Sequence, residues 1–151
     1  MTKTPKGRRG FLSAGVTLGG ALAAGAANAQ SARAAKHKVV FQMNSPEPNG
    51  WGLIFNNVNN LYKVFGDEGL EVEIVFFSRG LSMLLKKNTP YEERLKTAAD
   101  KGVVLAACQN SMRAMNVTKD DLFPFATLVD SGVAELVRKQ EAGWSYLKGG
   151  E

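Results

Sequence analysis

The chain has 151 residues, one cysteine and one histidine, so its chemistry turns on Cys108 and His37. A single cysteine excludes an internal disulfide framework, a CxxC redox pair and a Cys-rich zinc site. With one histidine beside it there is no metal cluster to expect. Cys108 directly follows the apolar run Val103-Val104-Leu105-Ala106-Ala107 and precedes Gln109-Asn110-Ser111, which leads into a short helix. A thiol beside a helix N-terminus feels the positive end of the helix dipole and its unpaired N–H groups, which lower its pKa. Asn110 and Ser111 stand at that helix start, and Arg113 lies close enough in sequence to assist. The other reading of Cys108 is a buried structural thiol acting as a small hydrophobe.

His37 precedes the first strand, on the tether side, so a protease-type Cys–His dyad is not expected. The acid pairs Asp67-Glu68, Glu92-Glu93 and Asp120-Asp121 are sequence neighbours and do not share a helix face. They read as solvated turns and caps. Neither G-x-G-x-x-G nor a P-loop follows the first strand, so no phosphate cradle or nucleotide cofactor is expected. Asn56, Asn57, Asn59 and Asn60 sit in a helical stretch although Asn is a poor helix former. Asn57 and Asn59 flank its apolar stripe and offer bonds to a ligand or a second subunit; solvent exposure is the plainer reading. Trp51 opens the same helix and is a candidate wall for a pocket above Cys108, or else a core residue.

The elements that must position these residues alternate. Val39–Met43 reads as a buried strand, 45–50 as a loop, and Trp51–Phe65 as an amphipathic helix with Trp51, Ile54, Phe55, Val58, Leu61, Tyr62 and Phe65 on one stripe. Glu71–Phe77 is the second strand, and Gly80–Leu85 a short apolar turn or helix. Thr89-Pro90-Tyr91-Glu92 has the form of a capping box opening a helix that Gly102 ends. Val103–Ala107 is fully apolar and reads as the central strand. A short helix spans Ser111–Met115, and Thr118 caps another that Pro124 ends. Ala126–Val129 is a fourth strand, Asp130 or Ser131 caps a helix ending at Gly143, and Trp144–Leu147 is a fifth, edge strand. Alternating strands and helices predict an α/β fold: a parallel sheet of about five strands with helices on both faces. In such sheets chemistry gathers beyond the carboxyl ends of the strands, which is where Cys108 falls.

The first thirty residues read as an address. Arg8-Arg9-Gly10-Phe11-Leu12 opens an uncharged, Gly- and Ala-rich run that ends in Ala27-Asn28-Ala29. A basic start, an apolar middle and a small-x-small end make an export signal. The paired arginines look like a twin-arginine signal, with cleavage expected after Ala29 and a periplasmic destination. Residues 30–36 then form a tether and 37–151 the domain. An uncleaved signal would be the only membrane attachment. The formal charge of +5 belongs mostly to this segment, because Lys3, Lys6, Arg8 and Arg9 face no acid there. The remaining 122 residues hold 15 bases and 14 acids. Clustered cations are what nucleic acids require, so DNA and RNA are not expected partners.

The order of segments resembles the DsrE/DsrF-like family with its YchN-type three-layer α/β sandwich. The residues that carry the likeness run from Lys38-Val39-Val40-Phe41-Gln42 through Trp51 with Asn56–Asn60, Glu73-Ile74-Val75, Gly80–Leu84 and Ala107–Met112. They continue through Leu122-Phe123-Pro124 and Gly132–Leu136 to Gly143–Tyr146. The resemblance implies a homo-oligomer, trimeric or hexameric, and a Cys108 that carries sulfur as a persulfide between a thiol or persulfide donor and an acceptor. It implies no cofactor. Two other functions stay open on the sequence: a non-catalytic binding or assembly module with a structural Cys108, and a redox sensor that forms an intermolecular disulfide.

Overall fold

The structure is a computed structural model that describes residues 37–45, 47–87 and 89–150. The expected signal with Arg8 and Arg9, its cleavage point after Ala29 and the tether lie outside the described residues. In chain order the elements are β1 (His37–Met43), α1 (Pro48–Phe65), β2 (Leu70–Phe76), α2 (Glu92–Asp100), β3 (Val104–Cys108), α3 (Gln109–Ala114), β4 (Ala126–Val129), α4 (Gly132–Glu141) and β5 (Ser145–Gly149). Short 3-10 segments at Asp67–Gly69, Ser78–Leu84 and Lys119–Asp121 join them.

The five strands form one sheet in the order β4-β3-β2-β1-β5, and every neighbouring pair is parallel. The strand at the centre is therefore β2. β3, read from its apolar run as central, lies between β2 and β4 and needs that composition because both of its faces are covered. β5 is an edge strand, as its half-polar sequence suggests.

Side-chain alternation divides the sheet into two unequal faces. Val39, Phe41, Met43, Val72, Ile74, Phe76, Leu105 and Ala107 point to one side, where Trp51, Ile54, Phe55, Val58 and Tyr62 of α1 and Leu95 of α2 complete the main core. Burying that α1 stripe removes enough apolar surface to outweigh the poor helix propensity of the four exposed asparagines beside it. Val40, Val75 and Ala106 point to the other side and meet Leu136 of α4. Helices thus cover both faces, but α4 covers its face alone and leaves Val133 and Val137 59% and 48% exposed.

Three local details differ from the sequence reading. α1 begins at Pro48 rather than Trp51, because a proline in the first helical turn has no N–H to leave unpaired. The capping box at Thr89 does not form; α2 starts at Glu92, and the Thr89 hydroxyl instead accepts the Tyr91 N–H at 3.3 Å. Tyr91 packs its ring against Phe55, with centroids 6.0 Å apart, and this tertiary contact sets where the chain enters the helix. His37 belongs to β1, where it stacks on Phe65 at 3.9 Å between centroids. The cap at Thr118 and the left-handed Gly102 after α2 are as the sequence predicts, and the Thr118 cap is completed to a box by Asp121.

Candidate functional site

Cys108 is the last residue of β3 and the N-cap of α3. An N-cap side chain can accept one of the unpaired backbone N–H groups of the first turn, a task that usually falls to Ser, Thr, Asp or Asn. Here the sulfur does it, accepting from the Ser111 N–H at 3.4 Å. A thiolate is a far better acceptor than a thiol, so the local geometry of the turn favours the charged form.

Two further segments reach the sulfur. The loop after β2 brings Ser78, whose N–H donates to the Ser111 hydroxyl oxygen at 2.7 Å. That bond occupies an acceptor position of Ser111 and leaves its hydroxyl proton to point at Cys108. Ser78 holds φ at 50°, the left-handed region that non-glycine residues rarely adopt. The loop after β4 brings α4, capped by the Ser131 hydroxyl, which accepts the Ala134 N–H at 3.4 Å. Its first residue, Gly132, is buried because a Cβ there would stand 2.9 Å from the Cβ of Phe77. Only a glycine lets the helix come this close to the sheet, and the close approach carries the Gly132 N–H to the sulfur.

Burial pushes the Cys108 thiol up. The hydroxyl of Ser111 and the backbone N–H groups of Gly132, Ser111 and Asn110 outweigh it and leave the thiol below its ordinary value. Cys108 is only 4% exposed, yet it lines an open cavity of about 580 Å³ at the carboxyl edge of β2, β3 and β4. Phe77, Ala114, Met115 and Val133 form apolar walls, and Ser78, Arg79, Asn110, Ser111 and Ser131 supply polar groups. Arg79 is exposed and is the one charged side chain among the described lining residues.

The residues singled out from sequence divide accordingly. Cys108, Asn110 and Ser111 come together in this cavity. Arg113 is exposed, bonds its guanidinium to the Asn110 amide oxygen, and does not line the cavity. Trp51 is 4% exposed in the main core, and its indole N–H donates to the Ser45 carbonyl at 3.0 Å. Asn57 is exposed on α1. α1 packs on the face of the sheet opposite α4, so neither Trp51 nor Asn57 walls the Cys108 cavity. Ser78, Arg79 and Gly132 were not singled out as site residues, and Ser131 only as one of two candidate caps of α4. The signal for them was present: each lies in the stretch directly after a strand's carboxyl end, the same edge that marked Cys108.

Known proteins match this architecture. A solved structure, the protein of unknown function MTH1491 from Methanobacterium thermoautotrophicum, is 31% identical over 74% of this chain and 98% of its own length, with a TM-score of 0.70. No curated protein matches the chain. The DsrE/DsrF-like family matches residues 21–148, a span that holds β1 to β4, all of β5 but its last residue Gly149, and every residue of the Cys108 cavity, and the chain belongs to that family.

Proposed function

We propose that the domain is an exported sulfur carrier in which Cys108 holds a persulfide. The observation that carries this reading is the place of the sulfur: a lone, buried thiol that caps α3, accepts the Ser111 N–H at 3.4 Å and lines a cavity, with its pKa held below the ordinary value by the surrounding donors. Membership of a family linked to sulfur metabolism supports it, and the Arg8-Arg9 sequence supports export by the twin-arginine route.

The transfer is a thiol exchange in which electrons balance without an external oxidant. The Cys108 thiolate attacks the outer sulfur of a donor R–S–SH, and the donor S–S bond breaks. R–S⁻ leaves with the bonding pair, and Cys108–S–SH remains. An acceptor thiolate then attacks the outer sulfur of Cys108–S–SH and regenerates the Cys108 thiolate. The donors around the sulfur stabilise the anion at both ends of the cycle. The donor is a small anionic molecule on this reading, because a cysteine only 4% exposed in a cavity wall is out of reach of a cysteine fixed on a flat protein surface, and Arg79 offers the cavity a positive charge.

Exposure of the protein to a low-molecular-weight persulfide bearing a carboxylate is expected to add one sulfur atom to Cys108, read by intact mass. Cys108→Ser gains none. Arg79→Ala raises the donor concentration needed for half-loading by about tenfold, the worth of one exposed charge-assisted contact. An unmodified Cys108 in the wild-type protein removes the carrier reading, and equal loading of Arg79→Ala removes the anionic donor.

A homo-oligomer is part of the proposal, supported by the face that α4 covers, where Val133, which also lines the cavity, and Val137 stand exposed. Light scattering is expected to give a multiple of the chain mass; the mass of one copy overturns it.

A further inference from the structure

Glu73 is a buried carboxylate in β2 that the sulfur chemistry does not use. Its side chain is 3% exposed. One oxygen meets the Lys139 ammonium at 2.5 Å, and the other has no hydrogen-bond partner among the described residues. A buried acid with an open lone pair is costly, and it calls for a reason to be there. The groups around it come from three directions. Lys139 and Glu135 face it from α4, with the Lys139 ammonium also 3.8 Å from the Glu135 carboxylate. Trp144, which precedes β5, lies under Lys139 with its ring centroid 4.2 Å from the ammonium. On the sheet, Lys38 of β1 and Glu71 of β2 share the same face, 3.9 Å from each other.

Glu73 and Cys108 point to the same face from neighbouring strands, and α4 spans the distance between them. Glu73 pairs in register with Val104, four residues before Cys108, so roughly 13 Å of strand separates them. One end of α4 is tied down by the Glu73–Lys139 pair; the other sets Gly132 beside Cys108 in the wall of the same cavity, where its N–H helps to lower the pKa of the thiol. Between these ends only Leu136 is a buried large side chain. A helix held by so few buried groups takes its height above the sheet from its anchors.

We propose that Glu73, by gripping Lys139, is a positioning residue that seats helix α4 so that its Gly132 N–H meets the sulfur of Cys108. This rests on the reading that Cys108 works as a thiolate. It assigns Glu73 no contact with a substrate.

The test is the pH profile of Cys108 alkylation by iodoacetamide in the full chain, where Cys108 is the only thiol. Glu73→Gln is expected to move the midpoint to higher pH and to slow alkylation below it by about tenfold, the worth of one N–H bond to the anion. The sign is decisive. If Glu73 acted only through space, deleting its negative charge would favour the thiolate and move the midpoint down. Glu73→Asp, one methylene shorter, is expected to move it upward by less, and it serves if the Gln variant does not fold. Leu95→Ala, which empties part of the core on the other face, is the control for general loosening and is expected to leave the midpoint in place. An unmoved or lowered midpoint in the Glu73 variants, or an equal rise in Leu95→Ala, overturns the proposal. A wild-type protein that takes up no sulfur, with Glu73→Gln still raising the midpoint, removes the carrier reading and leaves the positioning role standing.

Discussion

Gly80→Ala is expected to cost the domain about 3 kcal/mol, the upper end of what overpacking usually costs, and to lower its melting temperature by about 10 °C. A Cβ on Gly80 would lie 2.3 Å from the Met43 carbonyl oxygen, 2.7 Å from its carbon and 2.8 Å from the Cα of Asn44. All three are backbone atoms, so no rotamer change relieves the clash. The Met43 oxygen is itself fixed, because it accepts the Phe77 N–H at 3.1 Å where β2 leaves the sheet. Gly80 in turn donates its N–H to Phe77, also at 3.1 Å. The segment must therefore lift as a unit, and it carries Ser78 and Arg79 with it. Denaturant unfolding of the variant checks the magnitude. A loss below about 1 kcal/mol would mean that the loop after β2 yields easily and does not hold Ser78 firmly against Ser111.

The contrast between what sequence showed and what it hid follows from the range of the interactions involved. The strands themselves and the apolar stripe of each helix are written in local periodicity, whereas their order in the sheet is not: β2, and not the more apolar β3, lies at its centre. The α1 stripe, the apolar run before Cys108 and the Ser131 cap all appear where pattern and turn chemistry place them. Placement of Cys108 at the carboxyl edge needed only its position after a strand. The partners of its sulfur were hidden because they arrive from distant segments: Ser78 lies 33 residues before Ser111, and Gly132 comes from the loop after β4. Trp51 shows the limit of spacing arguments. Its place at a helix start beside a loop suits a pocket wall, but the wall it belongs to faces the main core, because α1 packs on the side of the sheet away from Cys108. Which face a helix takes is set by the handedness of the crossover and not by its own residues. Glu73 was equally illegible. In Glu71-Val72-Glu73 the acids alternate as solvent-facing strand residues do, and only α4 crossing above makes one of them a buried charge.

That buried charge gives the second large effect. Lys139→Met removes the single cation that neutralises Glu73 and is expected to cost about 3 kcal/mol at pH 7. Breaking a buried pair by removing one partner typically costs 3–5 kcal/mol, and two features hold the cost to the lower end. Lys139 keeps 23% of its side chain exposed, so part of its charge is already solvated. The stranded carboxyl can also take up a proton, and for an acid of ordinary value 4.5 that costs about 3 kcal/mol at pH 7, which caps the penalty. The direction with pH follows from the same group. Burial pushes the Glu73 carboxyl up, while Lys139 pulls it down. Without Lys139 it rises further. A carboxyl raised in the folded state favours folding below its unfolded value, and that advantage is lost as pH rises through the folded value. The Lys139→Met penalty should therefore shrink as pH falls from 7 and be nearly gone below 4.5. Urea unfolding of wild type and variant across that range measures it. Adding Glu73→Gln to Lys139→Met should recover most of the stability at pH 7, because a neutral amide needs no counter-ion. A penalty independent of pH, or a double variant no better than the single one, would mean that Lys139 acts through its contact with Trp144 rather than through its charge. The anchor of α4 would then be the stacked ammonium and indole, and not the carboxylate beneath them.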